Sequence, residues 1–354
     1  MNDQSKYYSR QTKLIGINGQ DKLRQSRVLV IGAGGLGCPV LLYLAAMGIG
    51  SIGIIDNDRV DISNLHRQIL YSPKDIGKYK SQIAALKISE QNPFIDVFSF
   101  VDKLNRENSE QIFKNYDIIV DCTDNFDSKF LVHDACFYQE KKLVQASIYQ
   151  YEGNLHVFDF SKREESNKMP CLRCLWTKEP DDGCVGTCAD VGVLGATAGV
   201  LGSLQAIEVS KLILRKDYLK NGEGLFVDLL SQDYEKRKWK KNNDCPVCSL
   251  QTNKMAPNLF NNYKLKIDQV TNDFIWIDLR NHDEVREYAL LHPGLIQIPL
   301  SEFNVSKLSP IYKYLLVCQK GYRSNQLVKV LCELGHENFY SLVDGVQNFS
   351  RTSL

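Results

Sequence analysis

Residues Arg27 to Ile31 (RVLVI) run straight into Gly32-Ala33-Gly34-Gly35-Leu36-Gly37, and an apolar stretch from Leu36 to Met47 follows before Gly48. A β-branched apolar run without polar alternation fits a strand buried on both faces, as in a parallel sheet. The stretch after it reads as a helix stopped by Gly48. Glycines between a strand and a helix let the backbone approach phosphate oxygens, and the helix start offers unpaired N–H groups and a positive dipole end. The turn alone admits three readings: a nucleoside triphosphate site, a dinucleotide site, or a tight turn with no ligand.

The rest of the chain extends the pattern. Ser51 to Asp56, Tyr116 to Asp121 and Lys142 to Ala146 read as further buried strands with helical stretches between them. Strands alternating with helices predict an α/β fold, a mostly parallel sheet covered on both faces. Tyr151 to Phe160 alternates polar and apolar residues and predicts an antiparallel edge strand. Residues 162–190 are polar and cysteine-rich, and helical periodicity resumes from Val193 to Leu214. Residues 251–262, with Asn, Thr and Pro and no period, read as a linker. Beyond it, Phe274 to Leu279, Gly294 to Ile298 and Tyr314 to Cys318 read as strands and Asn325 to Leu334 as a helix. The expectation is a first domain over 1–250 and a smaller α/β domain over 263–354.

Forty-three basic residues face 42 acidic ones, a net charge of +1. That balance speaks against nucleic acid or an anionic membrane as the main partner, and the basic run from Lys236 to Lys241 reads as solvated surface. The N-terminus (MNDQSKYYSRQ) lacks a signal peptide's apolar core. Pro39 to Ile49 and Val191 to Leu204 are too short to cross a bilayer. A cytoplasmic protein without a membrane segment is expected. In that setting an odd count of eleven cysteines suggests reduced thiols serving metal binding and catalysis.

Charged residues cluster in sequence after the strands. Asp56 ends the second strand and can accept hydrogen bonds from a ribose. Ser63-Asn64-Leu65-His66-Arg67-Gln68 supplies an amide and a guanidinium, Lys80 an ammonium, and Asp124 a carboxylate just past the strand ending at Asp121. Cations neutralise a polyphosphate and a carboxylate near them can hold Mg²⁺. NAD requires neither, so ATP is the favoured ligand, with surface ion pairs the alternative for Arg67 or Lys80 taken singly.

The cysteines fall into four groups. Cys171-x-x-Cys174 and Cys245-x-x-Cys248 offer four thiolates, a set suited to tetrahedral structural zinc; free thiols or a redox pair are the alternatives. Cys188 precedes an apolar helix, a position that can lower a thiol's pKa and make it nucleophilic. Cys184 competes for that role, and simple packing remains open. Cys318 stands between a strand and a helix in Cys318-Gln-Lys-Gly-Tyr-Arg323-Ser324, where backbone N–H groups and Arg323 can stabilise a thiolate or persulfide. Cys38, Cys122, Cys136 and Cys332 sit in apolar contexts that suit packing.

YSRQ at Tyr8 to Gln11, GAGGLG at Gly32 to Gly37, DNDRVDISNLHRQ from Asp56 to Gln68 and DCTDN from Asp121 to Asn125 together resemble the MoeB/ThiF family of ubiquitin-activating-enzyme-like adenylyltransferases, over about the first 250 residues. The resemblance implies a Rossmann-like sheet with a zinc-clipped excursion. It implies that Gly35, Asp56, Ser63, Asn64, Leu65, His66, Arg67, Lys80, Asp124 and Asn125 form the Mg-ATP site, Asp124 serving the magnesium ion. Arg10 would reach the nucleotide site of the partner in a homodimer. The substrate would be the C-terminal glycine carboxylate of a small ubiquitin-like sulfur-carrier protein, converted to an acyl-adenylate. Cys188 matches the family cysteine that attacks the adenylate or enters a mixed disulfide, although Val191 stands where a small residue is usual. The loop at Cys318, with Asp278-Leu-Arg280, HPGLIQIP from His292 to Pro299 and DGVQNF from Asp344 to Phe349, resembles a rhodanese domain. This implies that Cys318 carries sulfur as a persulfide loaded by a donor such as a cysteine desulfurase. The carrier would decide the pathway: molybdopterin, thiamine, tRNA thiolation or cysteine synthesis. The rival expectations are an NAD-linked oxidoreductase, a non-catalytic scaffold, and activation of a ubiquitin-like tag without sulfur chemistry.

Overall fold

The computed structural model describes residues 3–161, 169–177 and 192–249, and 263–346 apart from 266, 288, 289, 291 and 344. These fall into two compact units. In the first, α1 (Asp3–Tyr7) and α2 (Ser9–Gln25) precede β1 (Arg27–Ile31), α3 (Gly37–Met47), β2 (Ser51–Ile55), α4 (Lys80–Gln91) and β3 (Asp96–Phe100). Then come α5 (Arg106–Phe113), β4 (Ile118–Asp121), α6 (Phe126–Tyr138), β5 (Lys142–Tyr149) and β6 (Glu152–Asp159), followed by α7 (Leu172–Leu175), α8 (Gly195–Leu214), β7 (Glu223–Asp228) and β8 (Asp233–Lys238).

The sheet runs β3-β2-β1-β4-β5-β6-β7-β8. Its first five strands are parallel, with Val28 of β1 opposite Ile52 on one side and Ile118 on the other; β5 to β8 continue antiparallel. Chain order reverses between β1 and β4, so the loops leaving these two strands open a crevice where ligands of such sheets bind. The apolar runs read from the sequence fill the centre: Val28, Val30, Ile52, Ile54, Val120 and Val144 are buried with Leu41, Leu44 and Leu201 from the helices. Burial of each such side chain stabilises by roughly 1.5–3 kcal/mol.

One expectation changes, and two parts of the sheet leave no mark in the sequence. The alternating segment after Tyr151 is antiparallel, yet β6 is no edge; it lies between β5 and β7. The hairpin beyond it escaped notice because all six residues of β8 are exposed, leaving no alternation to read. β3 (DVFSF), at the other edge, has no fully buried residue and was missed for the same reason. The helical stretch expected from Val193 to Leu214 is α8, which begins at Gly195 and ends at Leu214. The resulting 20-residue helix is, among the described residues, the one helix long and apolar enough to cross a membrane; here it packs on α3, β5 and β6.

The second unit holds β9 (Lys264–Leu265), β10 (Phe274–Asp278), α9 (His282–Glu287), β11 (Ile296–Gln297), β12 (Lys313–Val317), α10 (Tyr322–Glu333) and β13 (Phe339–Leu342). Its five strands are all parallel, in the order β11-β10-β12-β13-β9. Ile277, Leu316, Val328 and Phe339 pack on one face and Trp276, Leu315, Val317 and Leu342 on the other.

Candidate functional site

The glycine turn closes on its own backbone. Gly32 has φ +89°, the left-handed region that favours glycine, and a Cβ there would lie 2.9 Å from the carbonyl oxygen of Cys122. The turn therefore touches the loop that leaves β4. Asp56, directly after β2, accepts the Ala33 N–H at 2.8 Å through Oδ2 and the Asp58 N–H at 2.8 Å through Oδ1. Burial raises its carboxyl pKa, opposed by those two bonds and by the charge of Lys80. Lys80, 6% exposed, holds its Nζ 3.0 Å from Asp58 Oδ2. The Tyr71 hydroxyl and Ala33 carbonyl lie 2.8 Å apart, tying this cluster to the turn.

Arg67 faces Gly35: a Cβ on that glycine would sit 3.7 Å from Arg67 Cγ and 3.3 Å from Ala198 Cβ of α8. The segment presenting it is a tight 3₁₀ turn, Ile62–Asn64. Asp61 Oδ1 organises it by accepting the Ser63 N–H at 2.8 Å and the Ser63 hydroxyl at 2.6 Å, bonds that hold the Asp61 carboxyl below its usual range. Arg67 Nη1 donates to the Ser63 carbonyl at 3.0 Å and lies 2.9 Å from His66 Nε2. Asn64 and Leu65 are half-buried, and Ser63 and His66 are exposed.

Asp124 and Asn125 stand exposed on the β4–α6 loop. Asn125 caps α6 by accepting the Ser128 N–H at 2.9 Å. Arg67 thus packs on Gly35, Asp56 binds the turn at Ala33 with Lys80 beside it, and the loop carrying Asp124 and Asn125 leaves β4 at Cys122, where it touches Gly32. An exposed carboxylate on this loop fits Mg²⁺, which keeps its waters and phosphate oxygens and takes only one or two protein carboxylates. Arg10 is not part of this crevice within one chain. It is exposed on α2, next to Gln11, whose side chain donates to the Met47 carbonyl at the far end of α3.

The four expected zinc ligands meet. Their sulfur atoms all lie within 4.8 Å of one another, with Cys171–Cys174 at 4.0 Å, Cys171–Cys245 at 3.6 Å and Cys174–Cys248 at 3.3 Å. A tetrahedron with Zn–S bonds of about 2.3 Å has edges of about 3.8 Å, so the set fits a fully ligated ion. Behind it is a buried network that sequence reasoning missed. His133 Nε2 accepts the Leu172 N–H at 3.1 Å while Nδ1 faces Asp134 Oδ1 at 2.7 Å, and Asp134 also pairs with Arg173 Nη2 at 2.9 Å. The only hint was polar residues inside an apolar helix. Cys188 and its competitor Cys184 lie outside the described residues.

In the second unit Cys318 directly follows β12 and is 1% exposed. The Ser324 N–H reaches its sulfur at 3.5 Å, and Ser324 Oγ lies 3.4 Å from it and 2.9 Å from Ser341 Oγ. The loop turns at Gly321 (φ +84°), just before α10. Arg323 pairs with Glu284 through both guanidinium nitrogens, Nη1 at 2.9 Å, a partner the sequence did not reveal. The pairing lowers the Glu284 pKa and raises that of Arg323. Arg280, fully buried, is locked to Asp278 at 2.7 Å and reaches Gln319 Oε1 of the loop at 3.3 Å. A cavity of about 360 Å³ borders this loop, lined by Leu279, Asn281, Pro299, Leu300, Ser301 and Arg323.

Comparison with known proteins identifies the family. The chain is 41% identical to a sulfur carrier protein adenylyltransferase of Thermus thermophilus, over 68% of this chain and 89% of that protein. It is 31% identical to an adenylyltransferase and sulfurtransferase MOCS3 of Caenorhabditis briggsae, over 97% of this chain and 93% of that protein. Against the Aedes aegypti protein of the same name, the 43% identical region spans 70% of this chain and only 56% of the relative. The fold resembles that of E. coli MccB solved with ATP, with a TM-score of 0.60 at 22% identity over 69% of this chain and 75% of that one. The ThiF family model matches residues 8–247, more than half of the chain. With its switch-point crevice and its relatives both pointing one way, the chain belongs to the ThiF family.

Proposed function

We propose that this chain uses Mg-ATP to adenylate the C-terminal carboxylate of a small ubiquitin-like sulfur-carrier protein and then exchanges the AMP for sulfur. The observation that carries the reading is the convergence of Arg67, Lys80, Asp56 and the β4–α6 loop on the glycine turn. Supporting it are the relatives named as sulfur carrier protein adenylyltransferase and as adenylyltransferase and sulfurtransferase. The likeness to MccB, solved with ATP and with MccA, adds fold-level support.

A carboxylate is a poor electrophile; attack on the α-phosphate with loss of pyrophosphate gives an acyl group with AMP as leaving group. Arg67 and Lys80 screen the negative charge while the carboxylate is held in line, and the backbone of the glycine turn lets phosphate oxygens come close. Asp124 would hold a magnesium ion, whose chemistry here would be to neutralise phosphate charge. Two chains pair as a homodimer in this reading, Arg10 serving the partner's nucleotide site. The four-cysteine zinc is structural, since no open coordination position is left.

Residues 1–250 form the adenylating domain, 251–262 a linker and 263–354 a rhodanese-like sulfurtransferase domain. The terminal sulfur of a Cys318 persulfide, loaded by a donor such as a cysteine desulfurase, attacks the acyl-adenylate and expels AMP. This leaves an acyl disulfide on Cys318. A second thiol, Cys188 in this reading, cleaves that S–S bond, releasing the thiocarboxylate and leaving a Cys188–Cys318 disulfide for later reduction. Replacing Cys318 by Ala is expected to preserve carrier-dependent pyrophosphate exchange and to abolish the sulfur-for-oxygen mass gain on the carrier. Loss of exchange in that variant would overturn the division of labour.

A further inference from the structure

Beneath the exposed Asp124 lies a buried polar network that the mechanism above does not use. Asp121, the last residue of β4, is fully buried, and its two carboxylate oxygens do different things. Oδ1 accepts the Thr123 N–H at 2.9 Å and the Thr123 hydroxyl at 2.6 Å, turning the chain into Thr123-Asp124-Asn125. Oδ2 accepts Gln145 Nε2 at 2.7 Å and stands 3.4 Å from the ammonium of Lys129. The Asp121 carbonyl accepts Gln205 Nε2 at 2.8 Å.

Lys129 is the only cation that pairs with this carboxylate among the described residues. It lies in the first turns of α6 and is 7% exposed. Its Nζ also donates to the Ala146 carbonyl of β5 at 2.5 Å, and the Lys129 carbonyl accepts from the same Gln145 Nε2 at 3.1 Å. A buried charge is tolerated only when its partner and its hydrogen bonds are in place. Lys129 therefore fixes the Asp121 carboxylate, Asp121 fixes the Thr123 turn, and Asn125 fixes the other side by capping α6. Asp124 is suspended between the two anchors.

We infer that Lys129 is a positioning residue for nucleotide binding: through Asp121 and the Thr123 turn it aims Asp124 at the magnesium ion that accompanies ATP. The inference rests on the reading of Asp124 as the carboxylate that serves this ion. Removing Lys129 frees the turn, and the loss falls on the metal-dependent part of ATP affinity alone. Arg67 and the glycine turn, which meet the phosphates directly, stay as they are.

The test is calorimetric titration of ATP into the full-length protein, once with MgCl₂ and once with EDTA. Lys129→Met is expected to weaken ATP binding in magnesium roughly tenfold, the low end for loss of a group that orients a metal ligand, and to leave binding in EDTA unchanged. Lys129→Arg, which keeps the charge, is expected to restore most of the magnesium-dependent affinity. If Lys129→Met leaves the magnesium titration unchanged, or weakens both titrations equally, the positioning role is overturned. Should that variant not fold, Thr123→Val decides: it keeps the ion pair and removes only the hydroxyl bond, and an unaltered magnesium titration overturns the inference. A wild-type protein whose ATP affinity ignores magnesium removes the assigned role of Asp124 and this inference with it. The adenylation reading is judged separately, by pyrophosphate exchange.

Discussion

A methyl group on Gly37 would lie 2.0 Å from the carbonyl oxygen of Gly32, a backbone atom with no room to retreat. Gly35 is different, because a methyl there meets only the Ala198 side chain at 3.3 Å and the stem of Arg67 at 3.7 Å. Gly37→Ala is therefore expected to destabilise the protein by about 3 kcal/mol in urea unfolding. Gly35→Ala is expected to unfold near the wild-type midpoint and to weaken ATP binding by displacing Arg67. Equal midpoints for the two variants would contradict this account. At this scale the crevice was partly legible: glycines, an arginine and a lysine following successive strands had to face one end of a parallel sheet. The partners of the paired charges were not. Asp134 and Arg173 are 39 positions apart, as are Glu284 and Arg323, and no local period reports which residue a folded chain brings alongside.

The elements with strong apolar runs, β1, β2, β4 and α3, appear where the sequence put them, because burial on both faces leaves an uninterrupted signature. Elements at the margins, β3 and β8, expose most of their side chains and leave none. His156 shows how an element's neighbours set a residue's chemistry. It sits opposite Gly224 across β6 and β7, against Trp239 and Phe226, and burial lowers its pKa to about 4. The unfolded chain binds a proton near the usual value of about 6.5. The folded state, with its depressed pKa, is thus at full stability above that pH and loses stability as pH falls from about 6.5 towards 4. Replacing His156 by Phe should remove this dependence, so the melting temperature of the variant should gain on wild type as pH drops through that window. Parallel curves would show that His156 does not contribute to acid sensitivity.

For the molecule as a whole, the four-cysteine cluster ties a segment near residue 171 to another near residue 245. Stripping the zinc proposed for this cluster should cost several kcal/mol, since formation of such a site contributes directly to folding. The expected outcome is a lower melting temperature for the unit containing residues 3–249 and little change in the chemistry of Cys318; a single metal per chain released on chelation would accompany it. Two CxxC pairs were enough to foresee the cluster, because thiolates at that spacing suit a tetrahedral ion. Hydrophobic periodicity and turn chemistry act over a few neighbouring residues, and they were sufficient for the parallel sheet, the glycine turn and the helices flanking it. Sheet order, the interior place of β6, the buried Asp121–Lys129 pair beneath Asp124 and the Glu284 clamp on Arg323 arise from contacts between segments distant along the chain. Such contacts depend on which surfaces exclude water together, and that is decided only when the whole fold closes.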